Sequence, residues 1–220
     1  MRAGLRSKTW KVSLHKRKAN KVVPESCIGG LFFPHFGEIF VYLYNIFGMF
    51  HVDPNKIYPK QTVSQSVIRF QDCDPLKHLN NAKYFDYFFN AREDQVPKLY
   101  GLHPMDFYNA YNAGWVIYNH NISYLRSALV GEWVTIITRL VHYDNHTIVN
   151  EYVMLDEAGK QLKTVLWSTM KYIDFATGRK VTHHDGVLDF LKSILYPSID
   201  YYKVNFEQRV KDLNNFYKLA

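Results

Sequence analysis

The chain has 220 residues, 47% of them hydrophobic and 16% aromatic, with a formal charge of +7. That length supports one good-sized domain rather than two, and the apolar fraction excludes global disorder. The charge is local: eight Lys/Arg and no acid fall in residues 1–24, and without them 19 basic residues face 20 acidic ones, a balance of −1. A near-neutral domain offers no basic face for nucleic acid.

Three zones follow in chain order. Residues 1–24 are basic and lack hydrophobic periodicity. Residues 27–50, "CIGGLFFPHFGEIFVYLYNIFGMF", are greasy, but Pro34, His35 and Glu38 leave "IFVYLYNIFGMF" as the longest clean piece, short for a membrane span. No small-residue cleavage site follows the basic lead, so a signal peptide does not fit. The favoured expectation is a natural start at Met49, with residues 1–48 an over-extended reading of the gene; a weak membrane anchor in residues 1–50 is the less favoured alternative. The two cysteines, Cys27 and Cys73, suit a reducing, cytoplasmic setting rather than a disulfide framework.

The globular zone begins with a strand at residues 61–70, "QTVSQSVIRF". Asn80 or Asn81 is a helix N-cap, because its side-chain oxygen can accept a free N–H of the first turn. Tyr84, Phe85, Phe88, Phe89, Arg92 and Val96 then follow helical spacing, with Pro97 and Gly101 punctuating the end. Strands are predicted over 115–125, 132–143, 147–155 and 160–174, with turns at Asp144–Asn145 and at "DEAG" 156–159. In the first of these, Val116, Tyr118, His120, Ile122 and Tyr124 alternate onto one side. Residues 185–195 and 205–219 read as two C-terminal helices. A helix this apolar must be enclosed, and a curved antiparallel sheet wrapped around it gives an α+β domain.

The stretch "RFQDCDPLKHLNNAKYFDYFFNAR", residues 69–92, resembles the strand-to-helix motif of hotdog-fold acyl-CoA thioesterases of the 4-hydroxybenzoyl-CoA thioesterase-like family. Arg69, Phe70, Asp72, Asp74, His78, Asn80, Asn81 and Tyr84 each match a position of that motif. "ISYLRSALVGEWVTIITRL" and "VMLDEAGKQLKTVLWSTMKYIDFATGR" are also similar to the family. The resemblance covers roughly residues 60–180 and implies a hotdog domain at 59–180, after an N-terminal extension of 1–58 and before a helical tail of 181–220. It further implies a homodimer built by joining two sheets, or a homotetramer of two such dimers, with sites at the dimer interface that hydrolyse acyl-CoA to a free acid and CoA. It implies no cofactor and no metal.

Thioester hydrolysis asks for donors to the developing oxyanion and for a carboxylate to activate water or attack directly. The free N–H groups at the start of the long helix, near Asn81, are the candidate donors. Asp74 matches the family's catalytic Asp; its plainer alternative is a loop-ordering carboxylate. His78 holds Asp74, shuttles a proton, or is an ordinary loop histidine. Asn81 orients water or the thioester, or only caps. Asp72, Asn80, Tyr84 and Arg126 are candidate substrate-binding residues, Asp72 also closing a turn, Asn80 favouring a structural role and Tyr84 favouring packing. Arg126 and Lys171 are the cations available to CoA phosphates. Cys73 lies between two aspartates that disfavour a thiolate. His183 and His184 are adjacent in sequence and make a poor metal pair.

Three other readings compete. A hotdog enoyl-thioester hydratase uses a D-x-N-P-x-H-like segment; "DCDPLKH" has Asp74 where that pattern wants Asn and one extra residue before His78. An acyl-carrier-protein thioesterase calls for a basic rim that a neutral domain does not supply. A non-catalytic acyl-binding protein has no need of Asp74.

Overall fold

The computed structural model describes residues 55–219. The expectations for residues 1–50, the start at Met49 and Cys27 lie outside the described residues. Five strands, β1 (Gln61–Val67), β2 (Ala113–Tyr124), β3 (Trp133–Tyr143), β4 (Thr147–Asp156) and β5 (Leu162–Asp174), form one antiparallel sheet in the order β1-β3-β4-β5-β2. The helices are α1 (Tyr84–Tyr100), α2 (Pro104–Tyr111), α3 (Asp185–Ile194) and α4 (Phe206–Leu219). Each predicted strand and helix is present, and the arrangement is the wrapped sheet and long helix of a hotdog domain.

Side-chain alternation divides the sheet into two faces. On the inner face Val134, Ile136, Tyr152, Met154 and Leu166 pack under Tyr84, Phe88 and Ala91 of α1. Phe88 is fully buried, its ring 5.5 Å from that of Tyr152. The opposite side of α1 carries exposed Asp86, Asn90, Glu93 and Asp94, so one face of the helix is enclosed in the single chain and the other is not. The helix also runs past Pro97 to Tyr100, ending where Gly101 takes φ +70 and donates its N–H to Pro97 O. Proline in the last turn removes one intrahelical hydrogen bond, and exposed Glu93 leaves the freed carbonyl within reach of water. Farther along the inner face, Leu140 and Ile148 meet Phe107 of α2 and Val187, Phe190, Leu191 and Ile194 of α3.

Helix α2 has no counterpart in the sequence reading. It is short, and its start is set by Pro104 at the first helical position and by Asp106, whose carboxylate accepts the His103 N–H. In β2 the pairing slips between Ile117 and Asn119. The bulge breaks the expected five-residue alternation, so His120, Ile122 and Tyr124 share the inner face while Val116 falls on the other.

The chain leaves the inner face beside Leu140, which pairs with Leu195 and accepts the Tyr196 N–H. Helix α4 then covers the outer face, laying Val210, Leu213 and Tyr217 on Ile137, Val153, Leu155 and Val165. The C-terminal segment therefore packs as an integral layer. Its polar anchor is Glu151, fully buried on β4. Glu151 accepts Trp167 Nε1–H at 2.9 Å, Arg139 at 3.2 Å, and both prongs of the Arg209 guanidinium at 2.8 and 2.9 Å. Among the described residues no helix is long and apolar enough to cross a membrane.

Losing one partner of a buried carboxylate is costly because the remaining charge is left short of hydrogen bonds. Arg209→Ala is expected to cost about 3 kcal/mol, with Arg139 and Trp167 still holding Glu151. Urea unfolding of the variant beside the wild type measures this; a change within about 0.5 kcal/mol, the usual range for surface sites, would show that α4 is held by its apolar face alone.

Candidate active site

Residues 72–80 fold back on themselves. Asp74 N–H donates to His78 O at 2.8 Å, Asn80 N–H donates to Asp72 O at 3.0 Å, and Cys73 and Leu79 form an antiparallel bridge between them. The register sets Asp74 opposite His78 and Asp72 opposite Asn80, so these four share one face of the hairpin while Leu79 points into the core. The tip is a turn closed by the Lys77 N–H to Asp74 O at 3.0 Å. Residues 128–130 lie along the other side: Leu79 N–H reaches Ala128 O, and Val130 N–H reaches Lys77 O.

Asp74 Oδ1 accepts two backbone N–H groups, Leu76 at 2.9 Å and His78 at 3.0 Å. It therefore orders the loop. Its other oxygen, Oδ2, meets no protein donor among the described residues, so the carboxylate is pinned at one end and open at the other. The His78 ring likewise has no hydrogen bond to a described residue; His78 is tied to Asp74 through its backbone.

Asn80 is the helix cap. Its side chain accepts the Ala82 N–H at 3.0 Å and its carbonyl accepts the Lys83 N–H at 2.8 Å, opening a short 3-10 turn, Asn81–Lys83, that runs into α1. Of the first three donors of the helix, the Asn81 N–H alone has no acceptor among the described residues. The exposed Asn81 side chain stands beside it, and the Asn81 carbonyl accepts the Tyr124 hydroxyl at 3.0 Å.

The other candidates hold the frame. Tyr84 is buried, accepts the Ala128 N–H at 3.2 Å, and meets Tyr124 edge-on at 5.1 Å. Asp72 Oδ2 accepts the Tyr87 hydroxyl at 2.9 Å, and that same oxygen of Tyr87 accepts the Arg69 N–H. Burial, reinforced by the adjacent carboxylate, pushes the Tyr87 phenol up to about 12, so it stays a donor. Burial and the charges of Asp72 and Asp74 push the Cys73 thiol up, away from nucleophilic thiolate. His183 accepts from Trp115 Nε1 and His184 stacks on Tyr111, and both rings also lie against Tyr172. Lys171 binds Thr147 Oγ1.

The structure does not bring Arg126 to this cluster. Its guanidinium donates to Leu162 O and lines a separate cavity of about 330 Å³ with Asp156, Lys160 and Lys218. A polar groove of about 610 Å³ between β1 and α1 includes Asp72, Lys83 and Tyr87 but neither Asp74, His78 nor Asn81. Tyr87 and Tyr124 escaped the sequence reading of the site. Tyr124 was visible as one of the alternating residues of its strand and within the family-like Tyr124-Leu125-Arg126 run, without a role at the site, and Tyr87 as one more aromatic in a helix full of them.

Lys77 adopts φ +64, a left-handed conformation that side chains disfavour and glycine does not. Lys77→Gly is expected to stay within about 1 kcal/mol of wild type, while Lys77→Val should lose about 1–2 kcal/mol. Chemical denaturation of both variants tests this; equal stability of the two would mean the tip relaxes freely and does not hold Asp74.

The sequence profile described as the Thioesterase-like superfamily matches residues 68–191, more than half of the chain. The long-chain acyl-CoA thioesterase FadM of Escherichia coli (strain K12) is 29% identical over 118 residues, which is 52% of this chain and 84% of that protein. Among solved structures, the probable thioesterase YbaW from Escherichia coli superposes with a TM-score of 0.54 at 23% identity, covering 61% of this chain and 98% of that one. The DHNA-CoA thioesterase from Staphylococcus aureus gives a TM-score of 0.54 at 21% identity, covering 73% and 97%.

Proposed function

The chain belongs to the thioesterase-like superfamily and is a thioester hydrolase; from that premise we propose that it cleaves acyl-CoA at the start of α1, with Asp74 as general base and the Asn81 N–H as oxyanion donor. The observation that carries this reading is the pairing of an open carboxylate oxygen with one unspent helix-start N–H on adjoining turns of the same hairpin. Water attacks the thioester carbonyl carbon while Asp74 Oδ2 takes its proton. The Asn81 N–H and the positive end of the helix stabilise the resulting oxyanion, a contribution of about 3 kcal/mol per donor. The tetrahedral adduct collapses, the C–S bond breaks, and the CoA thiolate leaves and is protonated. His78, on the same hairpin face as Asp74, and the exposed Asn81 side chain position the water. FadM, named for long-chain acyl-CoA, is the relative that favours a CoA substrate over an acyl-carrier-protein one.

Thiol release from a panel of acyl-CoAs tests the chemistry. Asp74→Ala, checked for folding, should lower kcat roughly 10²–10⁴-fold, the range of a general base. Turnover unchanged in a folded variant would remove Asp74 from the reaction.

We also propose a homodimer joined through β2. This 12-residue strand ends the sheet, and Ile117 and Tyr118 on it are 49% and 71% exposed. A long free edge with exposed apolar side chains is a template for a second strand. Light scattering is expected to give a dimer for the wild type and a monomer with sharply reduced turnover for Ile117→Lys; a monomeric, fully active wild type would overturn the assembly.

A further inference from the structure

One transverse row of the inner face is polar. Asn150 on β4, Ser168 on β5 and His120 on β2 are direct cross-strand neighbours in register. The row on one side of it, Tyr152, Leu166 and Ile122, belongs to the apolar cluster under α1. The row on the other side holds Ile148, Met170 and Ile117, the first two within the cluster under α2 and α3. On β4, β5 and β2 a polar row thus lies between two rows of apolar side chains, and on β3 it ends at buried Leu140.

Its hydrogen-bonding groups are unspent. Ser168 is fully buried and Asn150 is 1% exposed, yet Ser168 Oγ, Asn150 Oδ1 and His120 Nδ1 have no partner among the described residues. The Asn150 amide nitrogen meets only Met170 Sδ, at 3.8 Å. An unsatisfied buried polar atom costs about 1–3 kcal/mol, so three in one row point to an occupant that satisfies them. The row opens outward at half-buried His120, whose ring lies 4.8 Å from that of Phe85 and 5.9 Å from that of Phe89. Burial lowers the pKa of His120 and keeps it neutral, with one donor and one acceptor nitrogen.

The row also lies on the path an acyl chain would take. Tyr124 touches Asn81 at the start of α1, and His120 sits four residues back along the same strand, about 13 Å away. Its ring neighbours Phe85 and Phe89 lie about 6 and 12 Å down the helix from Asn81. A chain whose thioester rests at Asn81 and which runs along the seam between α1 and β2 meets the polar row part-way down. A hydroxyl is the simplest group that both donates and accepts. A carboxylate would bring an unpaired charge into the interior, which the row, lacking a cation, cannot offset.

We propose that His120, Ser168 and Asn150 form a subsite for a hydroxyl group carried part-way along the acyl chain, making hydroxyacyl thioesters the preferred substrates. The assignment rests on the thioesterase reading above for its geometry. Its test uses binding of free acids, which needs no turnover.

Calorimetric titration of the full chain with dodecanoic acid and a positional series of hydroxydodecanoic acids reads the subsite directly. One hydroxyl position should bind about tenfold more tightly than the plain acid, the worth of a well-made buried hydrogen bond. Ser168→Ala and His120→Phe should abolish that preference and leave dodecanoic acid affinity unchanged. Equal affinity across the series in the wild type would mean that the row holds only buried water, and would overturn the proposal. So would a preference that survives both substitutions. Absence of thiol release from every acyl-CoA, with the hydroxyl preference intact, would instead strike the hydrolytic reading and leave the subsite standing.

Discussion

The site depends on Asn80, which ends one structure and begins another. Its backbone N–H closes the hairpin onto Asp72, and its side chain and carbonyl take the second and third donors of the turn that becomes α1, those of Ala82 and Lys83. Asp74 and the helix start are thereby fixed to each other within a few residues, without a long loop between them. Capping usually satisfies a helix end and leaves it inert. Here the cap is incomplete by one donor, and the donor it spares is the one at the mouth of the hairpin.

The sheet is finished by different means on its two faces. The inner face is packed by α1, α2 and α3, and a polar row crosses it. The outer face is closed by α4, with Glu151 binding two arginines and an indole beneath it. Residues beyond the family match at 191 do this second job. Apolar residues from three strands of the outer face are covered by the chain's own helix.

Much of this was legible in the sequence because it rests on strong local signals. Periodicity located the long helix and every strand, and the motif of Asp74, His78, Asn80 and Asn81 marked the hairpin and helix start that the structure brings together. What stayed hidden rests on tertiary choices. Either asparagine could have capped α1, and the hydrogen bond from Asn80 N–H to Asp72 O decides between them. Arg126 was read through its motif, but Lys163 O holds its backbone and Leu162 O holds its guanidinium, which makes no hydrogen bond to the hairpin cluster. The bulge at Tyr118 changed which residues of β2 face inward, and alternation alone does not reveal a bulge. Asn150 and Ser168 looked like ordinary strand residues, since only the register shows that they line up with His120.

The Glu151 cluster also orders events in time. Its one bidentate contact comes from Arg209, 58 residues downstream. As the chain is made, β3, β4 and β5 are complete long before that arginine emerges. Until then Glu151 and the apolar outer face stand open to water, and among the described residues Arg139 is the cation paired with the carboxylate. Docking of α4 therefore comes after the sheet strands have emerged, and the interval before it docks leaves the half-made sheet exposed to a wrong neighbour.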